Sequence, residues 1–303
     1  MKTILVTGGT GKIGELILKN IDKNKFNIHL ITRKNISVKE ISTHNCNLLN
    51  EGTCQKLISE IKPTHLLHLA WITAHNNFWN SEENIIWENN SKILLREFAE
   101  NGGEKAIIAG TCAEYDWNEK SYIEGETDLN PHSLYGKSKN SLFKYTKKLS
   151  EKYDMKYSWG RIFFLYSNHD NPNKLIPYVI KNLFEKKIPE IKSNCNLIRD
   201  YIHVEDIASI FLLLLNSDFE GPINIGTGKG LSIKEIINKI AIKLNFKSIY
   251  ELNKKLNYTN EIKYPYVAAD ISKLKNQLKW VEPKDFDTRL EELINYWIQN
   301  KCI

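Results

Sequence analysis

The chain has 303 residues, 42% hydrophobic and 11% aromatic, with a formal charge of +6 from 42 Lys and Arg against 36 Asp and Glu. That composition can bury a full core and excludes a disordered chain, while a small, dispersed cation excess gives nucleic-acid binding no support. Five cysteines without a Cys-x-x-Cys pair, and no apolar run of membrane length, exclude a disulfide framework, a zinc site and a bilayer span, and point to a soluble cytoplasmic protein.

Lys2–Thr7 reads as a short apolar strand running into a glycine turn, beyond which Ile13, Leu16, Ile17 and Ile21 recur at helical spacing. Strands are predicted over 27–32, 45–48 and 64–70, then a helix over 85–99 with Trp87, Leu94, Leu95 and Phe98 on one face. A strand at 105–109, a helix at 133–153 and a strand at 157–165 follow. Strands alternating with helices of this length predict a parallel sheet covered on both faces, and the apolar stretches 106–109 and 162–165 suit strands buried on both sides. After Tyr166 the pattern loosens into a turn-rich loop at 168–173, a helix at 175–184 and an irregular stretch at 189–196. A strand at 199–204, a helix at 207–215, a strand at 222–225 and helices at 232–244 and 288–299 complete the chain. The expected fold is α/β, a doubly wound parallel sheet (1–165 and about 199–230) with a smaller, partly interleaved C-terminal lobe (166–198 and 231–303). The cleft between them would hold the substrate.

Thr7–Gly14 carries the spacing G-x-x-G-x-x-G on Gly8, Gly11 and Gly14, directly after the first strand and opening the first helix. Such a turn needs one glycine to bend tightly, one to let the backbone approach a pyrophosphate, and one to let the helix pack on the sheet. The helix start then offers free N–H groups to the phosphates. A glycine triplet alone is also an ordinary strand-to-helix turn, but its place on the first βαβ unit points to dinucleotide binding by Gly8, Thr10, Gly11, Lys12, Ile13 and Gly14. At the end of the second strand stand Arg33 and Lys34 where an acidic residue would select NAD(H). Two cations suit a 2′-phosphate, so NADP(H) is favoured and NAD(H) is the alternative, unless the pair are plain surface charges. Asn47, near the third strand's end, is a candidate partner for the adenine amino group.

Tyr135 and Lys139 lie four residues apart at a helix start, which stacks them on one face. An ammonium beside a phenol favours phenolate and would lower its pKa toward working pH; Lys139 would also hold the nicotinamide ribose hydroxyls. Thr111 ends a strand at the sheet's C-terminal edge, where its hydroxyl would hydrogen-bond a carbonyl oxygen as charge develops. A lone Tyr-x-x-x-Lys is most often two helix-surface residues. The glycine turn before it and Thr111 between make chance a poor explanation.

With these residues in hand, the chain resembles the extended short-chain dehydrogenase/reductases of the NAD-dependent epimerase/dehydratase family, which modify nucleotide-linked sugars on a Rossmann-type sheet. The resemblance runs almost end to end: Thr7–Gly14, His68-Leu69-Ala70, Thr111 with Tyr115, Tyr135–Lys139, Arg161-Ile162-Phe163, 199–204, Asn224-Ile225-Gly226-Thr227-Gly228 and Ala269-Asp270-Ile271. It implies that Leu48, Leu69 and Ala70 also line the cofactor and that Arg199 contacts a substrate diphosphate; a structural salt bridge with Asp200 or Glu205 is the other role open to Arg199. Family dehydratases carry Asp and Glu after the hydroxyl residue, and here Cys112 and Ala113 stand there. The remaining set, Thr111, Tyr135, Lys139 and cofactor, suffices for carbonyl–alcohol interconversion.

The resemblance therefore implies an NADPH-dependent ketoreductase acting on C4 of a nucleotide-activated deoxysugar. A 4-epimerase with retained NAD and a non-catalytic NADP-binding sensor are the alternatives. Substrate-pocket candidates are Trp71, His75, Trp117, Cys112 (or a small residue packed beneath the cofactor) and Glu114 (or a solvated loop carboxylate). His68 and His203 read as structural, donating to backbone on strands. Two departures from the family pattern concern the nucleotide half: Phe164 where many members have Asn, and no arginine near 258–261. By resemblance a homodimer would pair the 85–99 and 133–153 helices.

Overall fold

The computed structural model describes residues 1–50, 52–72, 78–119, 121–256 and 264–300. Its first half alternates as the hydrophobic periodicity requires: β1 (Lys2–Thr7), α1 (Lys12–Asn20), β2 (Phe26–Thr32), β3 (Ser42–Asn45), α2 (Thr53–Ile61), β4 (His65–His68), α3 (Glu83–Glu100), β5 (Lys105–Thr111), α4 (Leu134–Tyr153) and β6 (Lys156–Ile162). The second half holds β7 (Phe164–Tyr166), α5 (Leu175–Phe184), β8 (Ile198–His203), α6 (Val204–Asn216), β9 (Gly221–Ile225), β10 (Gly230–Ser232) and α7 (Ile233–Lys243). The last elements are α8 (Ile249–Leu256), β11 (Tyr266–Val267), α9 (Ser272–Leu278) and α10 (Phe286–Gln299).

Seven strands pair in parallel in the order β3-β2-β1-β4-β5-β6-β9. Each central strand alternates its side chains between two cores. Ile4, Val6, Leu30, Leu67 and Ile107 meet α1 and α6 through Ile17, Ile207 and Phe211. Leu5, Ile31, Leu66, Ala106 and Ile108 meet Ile58 of α2, Leu95 and Phe98 of α3 and Leu142 of α4. Burial on both faces explains why these strands read as unbroken apolar runs. The strand order reverses between β1 and β4, and the crevice beyond their carboxyl ends is where a sheet of this kind binds ligands. Thr7 and His68 lie opposite each other there.

The segment 157–165, expected as one strand, is broken at Phe163, whose N–H turns to the Ile225 carbonyl at 3.0 Å. Beyond that break β7 leaves the first sheet and pairs with β8, which also pairs with β10 and β11. The lobe boundary drawn after residue 165 therefore falls inside β7, and β8 belongs to the second sheet, while α6 and β9 return to the first. A third core, built from α5, α7 and α10 around Val179, Ile236, Leu290 and Trp297, holds the second lobe together. The third strand lies at 42–45 rather than 45–48, because Ser-Thr-His-Asn at a sheet edge carries no apolar signal. Among the described residues no helix is long and apolar enough to cross a membrane.

Candidate active site

The glycine turn delivers what the spacing promised. Gly11 caps α1 without any side-chain hydrogen bond, which leaves the first N–H groups of the helix directed at the turn. A Cβ on Gly14 would overlap the Gly8 carbonyl oxygen, so the cradle exists only with glycine there. The turn forms one wall of a cleft of about 680 Å³, within the range of cofactor sites. Thr10, Gly11, Lys12, Ile13 and Gly14 line its middle, Leu69 and Ala70 its floor, and Arg33, Asn47 and Leu48 one end. Gly8 lines it as well. The Asn47 side-chain oxygen accepts the Leu49 N–H at 3.2 Å, which fixes the amide beside the cleft. Arg33 and Lys34 stand exposed on the rim. A cradle closed to any side chain, an uncapped helix start and a cleft of this size fit a dinucleotide.

Lys12 also reaches across the cleft, where no motif anticipates it. Its ammonium pairs with the buried Asp170 carboxylate, which lies 3.1 Å from Lys174 as well.

Thr111 ends β5 and caps a single 3₁₀ turn over 112–114. Its hydroxyl accepts the Ala113 N–H at 3.2 Å, while the Glu114 carboxylate accepts the Thr111 N–H at 2.8 Å. Helix α4 runs so close to this turn that a Cβ on Gly136 would overlap the Ala113 carbonyl oxygen. That approach brings Tyr135, half-buried in the first turn of α4, near enough to Thr111 for its hydroxyl to act on the phenol. Ser133 caps the helix on Gly136 N–H, and the Tyr135 N–H is taken by the Trp79 carbonyl at 2.9 Å. Lys139, one turn on, is 2% exposed and donates to the Ala109 carbonyl at 2.8 Å. Thr111, Tyr135 and Lys139 thus converge at the carboxyl edge of the sheet.

The electrostatics differ from the expected lowering of the phenol. Burial pushes Tyr135 above its ordinary value, and the nearby Thr111 side chain offsets only part of that. The Lys139 ammonium is turned onto the Ala109 carbonyl and the Trp71 ring, so it does not outweigh desolvation. Burial also pushes Lys139 down to about 7, with Glu114 pulling in the opposite direction.

Several substrate candidates find other roles. Glu114 is neither a sugar ligand nor a solvated carboxylate. It is 0% exposed, and its oxygens accept from Thr111 N–H, from Trp159 Nε1 at 3.0 Å and from Arg161 Nε at 2.8 Å. Cys112 packs into the core against the sheet, its thiol pushed up by burial. Trp71 lines the dinucleotide cleft. His68 and His203 are structural, but not as donors to backbone. The ring nitrogens of His68 meet the Thr7 and Ser91 hydroxyls at 2.7 and 2.9 Å, and His203 accepts the Glu205 N–H at 3.4 Å to cap α6. Cys46 and Cys54, unpaired by any sequence spacing, stand with sulfurs 3.3 Å apart as thiols. His75 and the 258–261 segment lie outside the described residues.

Arg199 makes no salt bridge with Asp200 or Glu205. Asp200 is occupied by Thr227, Gly228 and Ala269, and Glu205 pairs with Arg289. The Arg199 guanidinium, 9% exposed, lies 5.7 Å from the Trp117 ring and 5.5 Å from Phe164, donating to the Ile198 and Tyr264 carbonyls. Burial lowers its pKa. Phe164, the departure noted above, therefore walls this arginine. From Trp117 the rings continue to Trp79 at 5.9 Å and from Trp79 to Tyr135 at 5.8 Å, with Phe78 edge-on to Tyr135 at 5.1 Å. A recess of about 290 Å³ lies among Trp79, Ala113, Trp117, His132, Ser133 and Tyr264. Phe78, Trp79, His132 and Tyr264 carry no motif; aromatic residues clustered in loops flanking the Tyr–Lys helix were their only signal.

Comparison with known proteins places the chain as follows. The chain is 26% identical over 312 residues to a putative UDP-glucose 4-epimerase of Methanocaldococcus jannaschii, covering 98% of each chain. It is 24% identical over 308 residues to a dTDP-4-dehydro-6-deoxyglucose reductase of Escherichia coli, covering 96% of each. In fold it is similar to the crystal structure of UDP-glucose 4-epimerase with UDP-glucose from Thermotoga maritima, with TM-score 0.83, 21% identity and 99% of each chain covered. The profile of the NAD dependent epimerase/dehydratase family matches residues 4–226. That span takes in the glycine cradle, the Thr111 turn and the Tyr–Lys helix, so the chain belongs to this family of nicotinamide-dependent enzymes.

Proposed function

We propose that this protein reduces a keto group at C4 of a nucleotide-activated deoxysugar, using NADPH. The observation that carries the reading is the composition of the site. Thr111, Tyr135 and Lys139 converge, while of the neighbours that could add a second acid or base Glu114 is buried and engaged by Thr111, Trp159 and Arg161, and Cys112 is buried in the core. Bound reduced nicotinamide supplies the hydride. Tyr135, kept protonated by its burial, donates a proton to the carbonyl oxygen, and the Thr111 hydroxyl donates a hydrogen bond to the same oxygen. Lys139 holds the ribose hydroxyls. Arg199, a buried guanidinium facing aromatic rings, supports binding of a diphosphate, and the exposed Arg33 and Lys34 support a 2′-phosphate. A homodimer through α3 and α4 belongs to the same reading, since Ile85 and Ile86 of α3 are 46% and 48% exposed; light scattering gives the mass.

The test is oxidation of NADPH, followed by absorbance, on a nucleotide-linked 4-keto-6-deoxysugar. Wild type turns over, and Tyr135→Phe loses about 10²–10⁴-fold in rate while still binding cofactor. A second reading, a 4-epimerase with retained NAD, draws on the Lys12–Asp170 pair that closes over the cleft. NAD surviving purification, with interconversion of UDP-hexose 4-epimers and no net NADPH oxidation, favours it. Cofactor binding without turnover of either kind favours a non-catalytic sensor.

A further inference from the structure

We infer that Trp71, which lines the dinucleotide cleft, is a positioning residue for Lys139, its indole face holding the buried ammonium in place and keeping it protonated. This rests on the assignment of Lys139 to the active site above. Lys139 Nζ sits 3.7 Å from the centre of the Trp71 ring. The Ala109 carbonyl takes a second side of the ammonium at 2.8 Å, so the charge is held between a strand oxygen and a π face. The ring is itself fixed. Its Nε1 donates to the Asn84 Oδ1 at 2.9 Å, and the Asn84 amide nitrogen donates to the Phe78 and Ser81 carbonyls at 2.6 and 2.9 Å. Trp71 is 9% exposed, and Asn84 is fully buried in the first turn of α3.

No carboxylate touches Lys139 among the described residues. Glu114, on the turn after β5, is the nearest anion acting on it, but its oxygens are spent on Thr111, Trp159 and Arg161. His68, from the end of β4, faces Lys139 as a neutral ring, and Tyr135 shares its helix as a neutral phenol. A buried ammonium with no ion pair must be compensated or lose its proton. The Ala109 carbonyl takes one charge-assisted hydrogen bond, and of the side chains the Trp71 face is the one in contact whose attraction depends on charge and grows as water is excluded. The consequence for the site is a cation that stays where a ribose hydroxyl and the Tyr135 phenol need it, with one N–H still free of the Ala109 carbonyl and the ring.

The test reads Lys139 itself, in cofactor-free protein labelled with ε-¹³C lysine. The Lys139 resonance is assigned by its loss in Lys139→Met, and its titration midpoint is read in wild type, where burial holds it below the ordinary lysine value. Trp71→Phe retains a π face and shifts the midpoint little. Trp71→Leu removes that face and lowers the midpoint by about one unit, a tenfold loss of ammonium at a given pH. Fluorinated tryptophan placed at position 71 drains the ring face while keeping its shape, and lowers the midpoint in a protein whose folding is not in question. A midpoint unmoved by fluorination, or lowered equally by Trp71→Phe and Trp71→Leu, overturns the inference; a merely structural tryptophan would alter unfolding but not this titration. Because the readout needs no turnover, a shifted midpoint in a protein that reduces no keto sugar would sink the proposed reaction and leave this role standing.

Discussion

Lowering the pH from 7 to 5 charges His68 in the unfolded chain but not in the folded one. The ring is wholly buried between the Thr7 and Ser91 hydroxyls. Burial first, and the Lys139 charge second, push its pKa from 6.5 down to about 3. In the unfolded chain it returns to about 6.5. Between those two values the unfolded state binds a proton that the folded state refuses. Stability is therefore complete above pH 6.5 and is lost as the pH falls toward 3. At about 1.36 kcal/mol per pH unit, the loss at pH 5 reaches about 2 kcal/mol. His68→Gln keeps a neutral amide near Ser91 and removes the titrating site. Urea unfolding of wild type and variant at pH 7 and pH 5 isolates this residue, because His65 and His203, each held near 4, titrate alike in both proteins. The variant is less stable at pH 7 but loses about 2 kcal/mol less than wild type on going to pH 5. Equal losses would refute the burial argument.

Glu114→Gln leaves the buried Arg161 without its anion, and Arg161 Nη2 already lacks a partner. A loss of about 3–5 kcal/mol in chemical denaturation is expected, and one below about 1 kcal/mol would mean the pair is dispensable. Gly14→Ala puts a methyl group on the Gly8 carbonyl oxygen. Dinucleotide affinity, measured by fluorescence titration, should fall at least about tenfold; unchanged affinity would remove the cradle from the site. Arg33→Ala should weaken NADPH by about 10–100-fold and leave NADH nearly unaffected. Equal effects on both cofactors would remove the 2′-phosphate assignment.

Much of the fold was readable because its signals are local. Strands such as Ile4-Leu5-Val6 alternate between two cores, so they appear as apolar runs, and α4 begins at a capping Ser133. The short helices α2, α8 and α9 and the strands β10 and β11 lacked such signals and went unpredicted. The break at Phe163 is tertiary: it depends on the Ile225 carbonyl, which β9 supplies from far along the chain. The cradle and the Thr111, Tyr135, Lys139 set were legible because each motif sits within a few residues and the alternation places their ends together. Lys12 and Asp170 are 158 residues apart, and no spacing rule joins them.

What a motif cannot carry is the dielectric around it. Tyr-x-x-x-Lys suggests a phenol made acidic by its neighbour, yet in the folded protein both groups shift toward their neutral forms, since burial acts on each more strongly than they act on one another. Glu114 shows the same effect. A carboxylate on a loop after a strand looks free to bind a sugar, but Arg161 and Trp159, both on β6, approach from the neighbouring strand and enclose it. Once enclosed, it orients the Thr111 turn and no longer faces solvent. The acid/base chemistry of this site is therefore decided by which charges the fold removes from water.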